Sequence, residues 1–130
     1  MSSSKPEIKL GKVQLHIMQF LWEKGQATAR EISDHLSEQH SLSHSTIQSL
    51  LRKLEKKGAI QHSERERVFL FSPVAKQDEV TVSTTREFLN RVFQGSASGL
   101  VSHILEHEKF SKDELDQLRQ LIDAHREKTL

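Results

Sequence analysis

Apolar side chains recur at three- and four-residue spacing in three successive blocks between residues 12 and 57, and glycine or short polar breaks separate them. Val13, Ile17, Phe20 and Leu21 share one face of a helix predicted over 12–23, with Trp22 near its end and Gly25 as its stop. Thr28-Ala-Arg-Glu31 has the capping-box pattern, a threonine cap with glutamate three residues on. It opens a second helix that runs to about His40 and buries Ile32 and Leu36. A turn through Ser41 leads to Ser43, a good N-cap for a third helix over 43–57 in which Ile47, Leu50, Leu51 and Leu54 point one way. Gly58 ends it. Ile60-Gln-His62 and Val68-Phe-Leu-Phe71 then read as two short strands of a hairpin over 60–72, with Glu64-Arg-Glu-Arg67 as its exposed tip. Pro73 ends the second strand and marks a domain boundary; residues 1–9 read as a flexible arm.

Beyond Pro73 the period is helical again. A helix over 78–94 carries Val82, Phe88, Leu89, Val92 and Phe93 and stops at Gly95. A second, over 98–107, carries Leu100, Val101, Ile104 and Leu105. Ser111-Lys-Asp-Glu114 is another capping box and opens a last helix with Leu115, Leu118, Leu121 and Ile122. Three short helices make a thin core for a module standing alone. Their apolar faces either fold back on the first half or meet a second copy. The second copy is the expectation, with Phe88, Leu89, Val92, Phe93, Leu100, Val101, Ile104, Leu105, Leu115, Leu118, Leu121 and Ile122 as the dimer interface.

The third helix keeps its other face small and basic. Ser45, Gln48, Ser49, Arg52, Lys53 and Lys56 lie away from the apolar stripe, and the face has no bulky apolar residue and no acid. Such a face can rest on a polyanion and offer hydrogen bonds to base edges. Ser43, Ser45 and Thr46 sit at the helix N-terminus, where backbone N–H groups attract phosphate. Gln48 suits adenine, Arg52 suits guanine or phosphate, and Arg65 and Arg67 at the hairpin tip suit a groove or phosphates, diluted by Glu64 and Glu66. Two capped helices joined by a tight turn, then a basic hairpin, have the sequence look of a winged helix-turn-helix. The fold expected is therefore mainly α with a small β-hairpin wing. A winged helix-turn-helix DNA-binding domain spans 10–73, and a helical dimerisation domain of three helices spans 74–130.

Charge and composition sharpen this reading. The formal net charge is +1, but residues 1–73 hold 11 Lys/Arg against 8 Asp/Glu, a balance of +3, and residues 74–130 hold 8 against 10, a balance of −2. A basic front and an acidic rear fit a nucleic-acid reader joined to a protein-contact module. With no cysteine there is no disulfide, thiolate zinc site or cysteine nucleophile. No phosphate-binding glycine loop and no GxSxG elbow occurs, so neither a nucleotide cofactor nor an enzymatic activity is expected. No segment approaches ~18 consecutive apolar residues, so no membrane insertion is expected and the location expected is cytoplasmic. Among the eight histidines, His103 and His107 stand four apart beside Glu106 and Glu108, a spacing that can bind zinc. No third ligand is evident and no metal site is assigned. Two rival readings stand beside this one, a metal-responsive repressor using histidines and a protein-interaction adaptor on the same fold; the adaptor would carry apolar anchors on the exposed face of 43–57, and that face has none.

With these residues in view, the chain resembles the BlaI/MecI/CopY repressors, the penicillinase, methicillin-resistance and copper-transport repressors, across nearly its full length. LWEKG followed by ATAREI is similar to that family's first two helices, and STIQSLLRKLEKKGAI to its recognition helix. VFLFSPV and TREFLNRVFQGSASGLVSHIL resemble its wing and dimerisation helices, FLNRVFQGS most specifically. The resemblance implies a homodimer that binds a double-stranded DNA operator and blocks transcription, with a sensor protease as a further partner. The copper branch carries a cysteine-rich tail, so copper–thiolate sensing is excluded here. The β-lactam branch is cut at an Asn-Phe bond in a dimerisation helix, and the aligned pair in this chain is His103-Ile104. Ser45 and Gln48 stand where close relatives of that branch tend to carry basic residues, so the operator need not match theirs.

Overall fold

The computed structural model describes residues 8–129. The element order is α1 (Lys12–Lys24), β1 (Ala27–Thr28), α2 (Ala29–Ser37), α3 (His44–Lys56), β2 (Ile60–Arg65), β3 (Val68–Pro73), α4 (Gln77–Phe93), α5 (Ala97–His107) and α6 (Lys112–Lys128). The chain divides into two compact units, one through Thr85 and one from Arg86, a division that falls inside α4. Most of the arm expected over 1–9 lies outside the described residues. Of its last two, Ile8 packs against the core and the Lys9 carbonyl accepts from Lys57 Nζ at 2.6 Å.

In the first unit, the apolar stripes of three helices meet over a small sheet. Ile17, Met18 and Leu21 from α1, Ile32 and Leu36 from α2, and Ile47, Leu51 and Leu54 from α3 are fully or almost fully buried. Leu50, read as part of the same stripe, is only half-buried at its edge. The cap of α2 forms as the sequence predicts: Thr28 Oγ1 accepts from Glu31 N at 3.1 Å, and Glu31 Oε1 accepts from Thr28 N at 2.9 Å. The helix itself ends at Ser37, short of His40. The Gln39 and His40 amides both donate to the Leu36 carbonyl, at 3.0 and 2.7 Å. No apolar residue between Leu36 and Leu42 could hold another turn against the core. At the end of α3, Gly58 N donates to Glu55 O and Ala59 N to Leu54 O, both at 3.0 Å, the pair of bonds of a Schellman turn. Gly58 adopts φ 81°, which a residue with a Cβ resists, and the turn drives Ala59 and Ile60 into the core and aims the chain into β2.

The sheet has one strand more than the sequence suggests. Its order is β1-β3-β2, all antiparallel, with Ala27 opposite Phe71 and Thr28 opposite Leu70. β2 and β3 pair over six residues each, from Ile60–Pro73 to Arg65–Val68, so the hairpin is longer and its tip shorter than expected. Arg65 belongs to a strand; only Glu66 and Arg67 form the turn. Phe71 anchors the hairpin's root in the core.

Val80, early in α4, is buried in the first unit. From Arg86 to Thr129 no residue is buried, although α5 and α6 are well capped: Ser96 Oγ accepts from Gly99 N at 3.0 Å, and Ser111 and Glu114 form the expected reciprocal pair. Among the described residues no helix is long and apolar enough to cross a membrane.

Candidate nucleic-acid interface

The N-terminus of α3 gathers three hydroxyls. Ser43 Oγ accepts from Thr46 N at 3.2 Å and lies 3.1 Å from Ser45 Oγ and 2.8 Å from Thr46 Oγ1. All three residues are exposed, so the cluster can be shared with a phosphate at a helix N-terminus. One turn on, Gln48 is exposed and its Nε2 lies 3.2 Å from His44 Nε2. Arg52, Lys53 and Lys56 continue the face and are exposed, whereas Ser49 is half-buried. Among the described residues, Arg52, Lys53, Lys56, Arg65 and Arg67 form no ion pair, which leaves these cations available to an anion.

The wing adds its own features. Glu66 and Arg67 both lie in the left-handed region, at φ 53° and 68°, so a two-residue turn projects Arg67 from the hairpin without a glycine. Val68 and Phe69 are about half exposed just behind it. Between the start of α2, α3 and the wing runs an open groove of about 950 Å³. Of the residues singled out from sequence, Gln48, Arg52 and Arg67 line it; Ser43, Ser45, Thr46, Ser49, Lys53, Lys56 and Arg65 do not.

Sequence reasoning missed Arg30, His44, Glu55, His62 and Phe69, which line the same groove. Arg30 comes within range only because β1 pairs with β3 and seats the start of α2 beside the wing, and a two-residue strand leaves no periodic signal. Glu55 corrects the expectation of an acid-free face, because its carboxylate stands at the groove's edge beside the wing. Nearby, the Thr28 backbone N–H bonded to Glu31 holds that carboxyl below its usual range, against a smaller opposing effect of burial.

The second unit carries the residues expected at a dimer interface. Phe88, Val92, Val101, Ile104, Leu105, Leu115, Leu118, Leu121 and Ile122 are exposed, Leu121 by 67%, and Leu89, Phe93 and Leu100 are half-buried. His103 and Ile104 lie within α5. The His103 and His107 rings stack at 4.2 Å, with His107 Nδ1 2.9 Å from the His103 carbonyl, so they do not converge on a common point. Among the described residues no three His, Cys, Asp or Glu side chains gather as a metal site would require.

Known proteins resemble this chain in sequence and in fold. The chain is 29% identical over 118 residues to the penicillinase repressor of Bacillus licheniformis, covering 91% of this chain and 92% of that one. It is 27% identical over 115 residues to the methicillin resistance regulatory protein MecI of Mammaliicoccus sciuri, covering 88% and 94%. The solution structure of monomeric Bacillus licheniformis BlaI in complex with the blaP half-operator superposes with a TM-score of 0.51 at 29% identity, covering 58% of this chain and 93% of that one. The family model described as penicillinase repressor matches residues 10–124, and the chain belongs to that family.

Proposed function

We propose that this protein is a cytoplasmic transcriptional repressor that binds a pseudo-palindromic DNA operator as a homodimer. The observation that carries the reading is the exposed, unpaired cationic face of α3, continued by Arg67 at the tip of the wing. In this reading Ser43, Ser45 and Thr46 hold phosphate at the start of α3. Gln48, Ser49 and Arg52 meet base edges, while Lys53, Lys56, Arg65 and Arg67 neutralise the backbone. Dimerisation supplies the second reading head. Among the described residues from Arg86 on, no side chain is buried, and the exposed leucines, valines and phenylalanines there would lose contact with water against a second copy. Residues 10–73 act as the reader and 74–130 as the coupling module. Release follows cutting of α5 at His103-Ile104 by a sensor protease, which removes the residues that hold the dimer.

The test is a gel shift on DNA upstream of the chain's own gene, with sedimentation of the free protein. A dimer that shifts a site with half-sites about one helical turn (~10 bp) or a multiple of it apart, with affinity falling steeply as salt rises, is expected. A monomer at tens of micromolar, or binding indifferent to salt, refutes the reading.

A further inference from the structure

Where α3 meets the wing, Glu55 and His62 touch: Glu55 Oε1 lies 2.5 Å from His62 Nδ1. Glu55 is in the last full turn of α3 and His62 in the middle of β2, so the contact joins two elements that both face the groove. On its other side the His62 ring stacks on Phe69 of β3, centroids 4.1 Å apart and planes 19° apart. It also lies 5.8 Å from the ring of Phe71, its register partner. The imidazole is thus held between a carboxylate and an aromatic face, about a third exposed. A carboxylate only accepts, so an ionised Glu55 in this contact takes its hydrogen bond from an Nδ1–H.

We propose that Glu55 and His62 form a proton-dependent clamp that sets the angle of the wing against α3 and tightens DNA binding as pH falls; the DNA part of this rests on the repressor reading above. With His62 neutral, the pair leaves one negative charge at the edge of a face that meets a polyanion. Protonation cancels that charge, turns a neutral donor into a charge-assisted one, and adds a cation over the Phe69 ring. All three changes favour the closed wing and the bound state. The other charged groups on this groove are Arg30 and Asp34 of α2, His44 and Arg52 of α3, and Arg67 of the turn, with Glu64 two residues along β2 from His62. His44 is the other histidine on this groove. Its Nε2 lies 3.2 Å from Gln48 Nε2 and it does not touch Glu55, so it serves as the control position.

Two measurements test the clamp, one without DNA. In the free protein at pH 8, imidazole nitrogen NMR places the His62 proton on Nδ1 in the full chain; a proton on Nε2 overturns the clamp whatever DNA does. Operator affinity is then followed from pH 8 to pH 5.5. The wild type gains about three- to tenfold, the size of one partly solvated charge contact. His62→Phe, which keeps the stack, loses most of that gain, and His44→Asn retains it. Glu55→Gln binds more tightly than wild type at pH 8 and varies less with pH. A gain that persists in folded His62→Phe, or that disappears in His44→Asn instead, refutes the proposal. A wild type with the Nδ1 proton but no affinity for any operator at either pH strikes the repressor reading and leaves the clamp's free-protein geometry standing.

Discussion

The wing turn holds two residues in a conformation their side chains oppose. Glu66 and Arg67 lie at φ 53° and 68°, where a Cβ costs about 1–2 kcal/mol per residue. The flanking pairs, from Ile60–Pro73 to Arg65–Val68, impose this because a two-residue hairpin loop needs both central residues left-handed to match the strands' twist. Replacing the pair by Asn-Gly removes most of that cost. Glycine returns roughly 0.5–1 kcal/mol as lost backbone entropy, so Glu66→Asn with Arg67→Gly should stabilise the first unit by about 1–2 kcal/mol. At ~4–8 °C per kcal/mol for a domain of this size, the melting temperature rises by roughly 5 °C or more. Amide exchange slows most in β2 and β3. The same variant loses Arg67, so operator affinity falls and the salt slope flattens by about one. Glu66→Asn alone gains part of the stability and keeps the arginine, and it binds at least as well as wild type. A melting temperature unchanged or lowered in both variants, with wing exchange unaltered, refutes the turn geometry and the argument built on it.

Arg52→Ala should cost roughly 1–3 kcal/mol of operator affinity and relax sequence preference at one base pair, read by competition with single-site operator variants. Leu105→Asp places a charge on an exposed apolar position of α5 and should yield monomers by sedimentation, while the melting of residues 10–72 stays within about 0.5 kcal/mol of wild type. Thr28→Ala should destabilise the first unit by about 1 kcal/mol through loss of the α2 cap. The Glu31 carboxyl titrates below its usual value in the folded chain, so its contribution is present above the unfolded value near 4.5 and is lost as pH falls through the lower folded one. Glu31→Gln should flatten that acid limb in denaturant titrations.

How much of this was legible in the sequence follows from the range of each signal. Thr28–Glu31, Ser43 and Ser111–Glu114 announce helix starts because a cap is a contact between residues three apart. Gly25 and Gly58 announce ends for the same local reason, and both take positive φ. The buried faces of α2 and α3 follow from period, with Leu50 half-buried at the margin; in α1 the period finds Ile17 and Leu21, but Val13 and Phe20 are only half-buried and the face turns to bury Gln14 and Met18 instead. What escaped depends on residues distant in sequence. β1 exists because Ala27 and Thr28 find β3 more than forty residues on, and two residues have no period. The extra length of β2 is written in Ser63, Glu64 and Arg65, which look like loop until β3 pairs with them. The groove shows the same split. Gln48, Arg52 and Arg67 are evident from helix face and hairpin tip, but Arg30, Glu55 and His62 join them only through the packing of α2, α3 and sheet.

The chain has a single tryptophan, and its position has a practical consequence. Trp22 Nε1 donates to the Ala75 carbonyl at 2.8 Å, in the short segment between β3 and α4. Indole emission depends on that hydrogen bond and on local wetting, and no other tryptophan or tyrosine contributes. Fluorescence of the unmodified protein is therefore a site-specific reporter of the root of α4. Any event in one unit that pulls on this connection would show as a wavelength shift in a cuvette, with no label to disturb it.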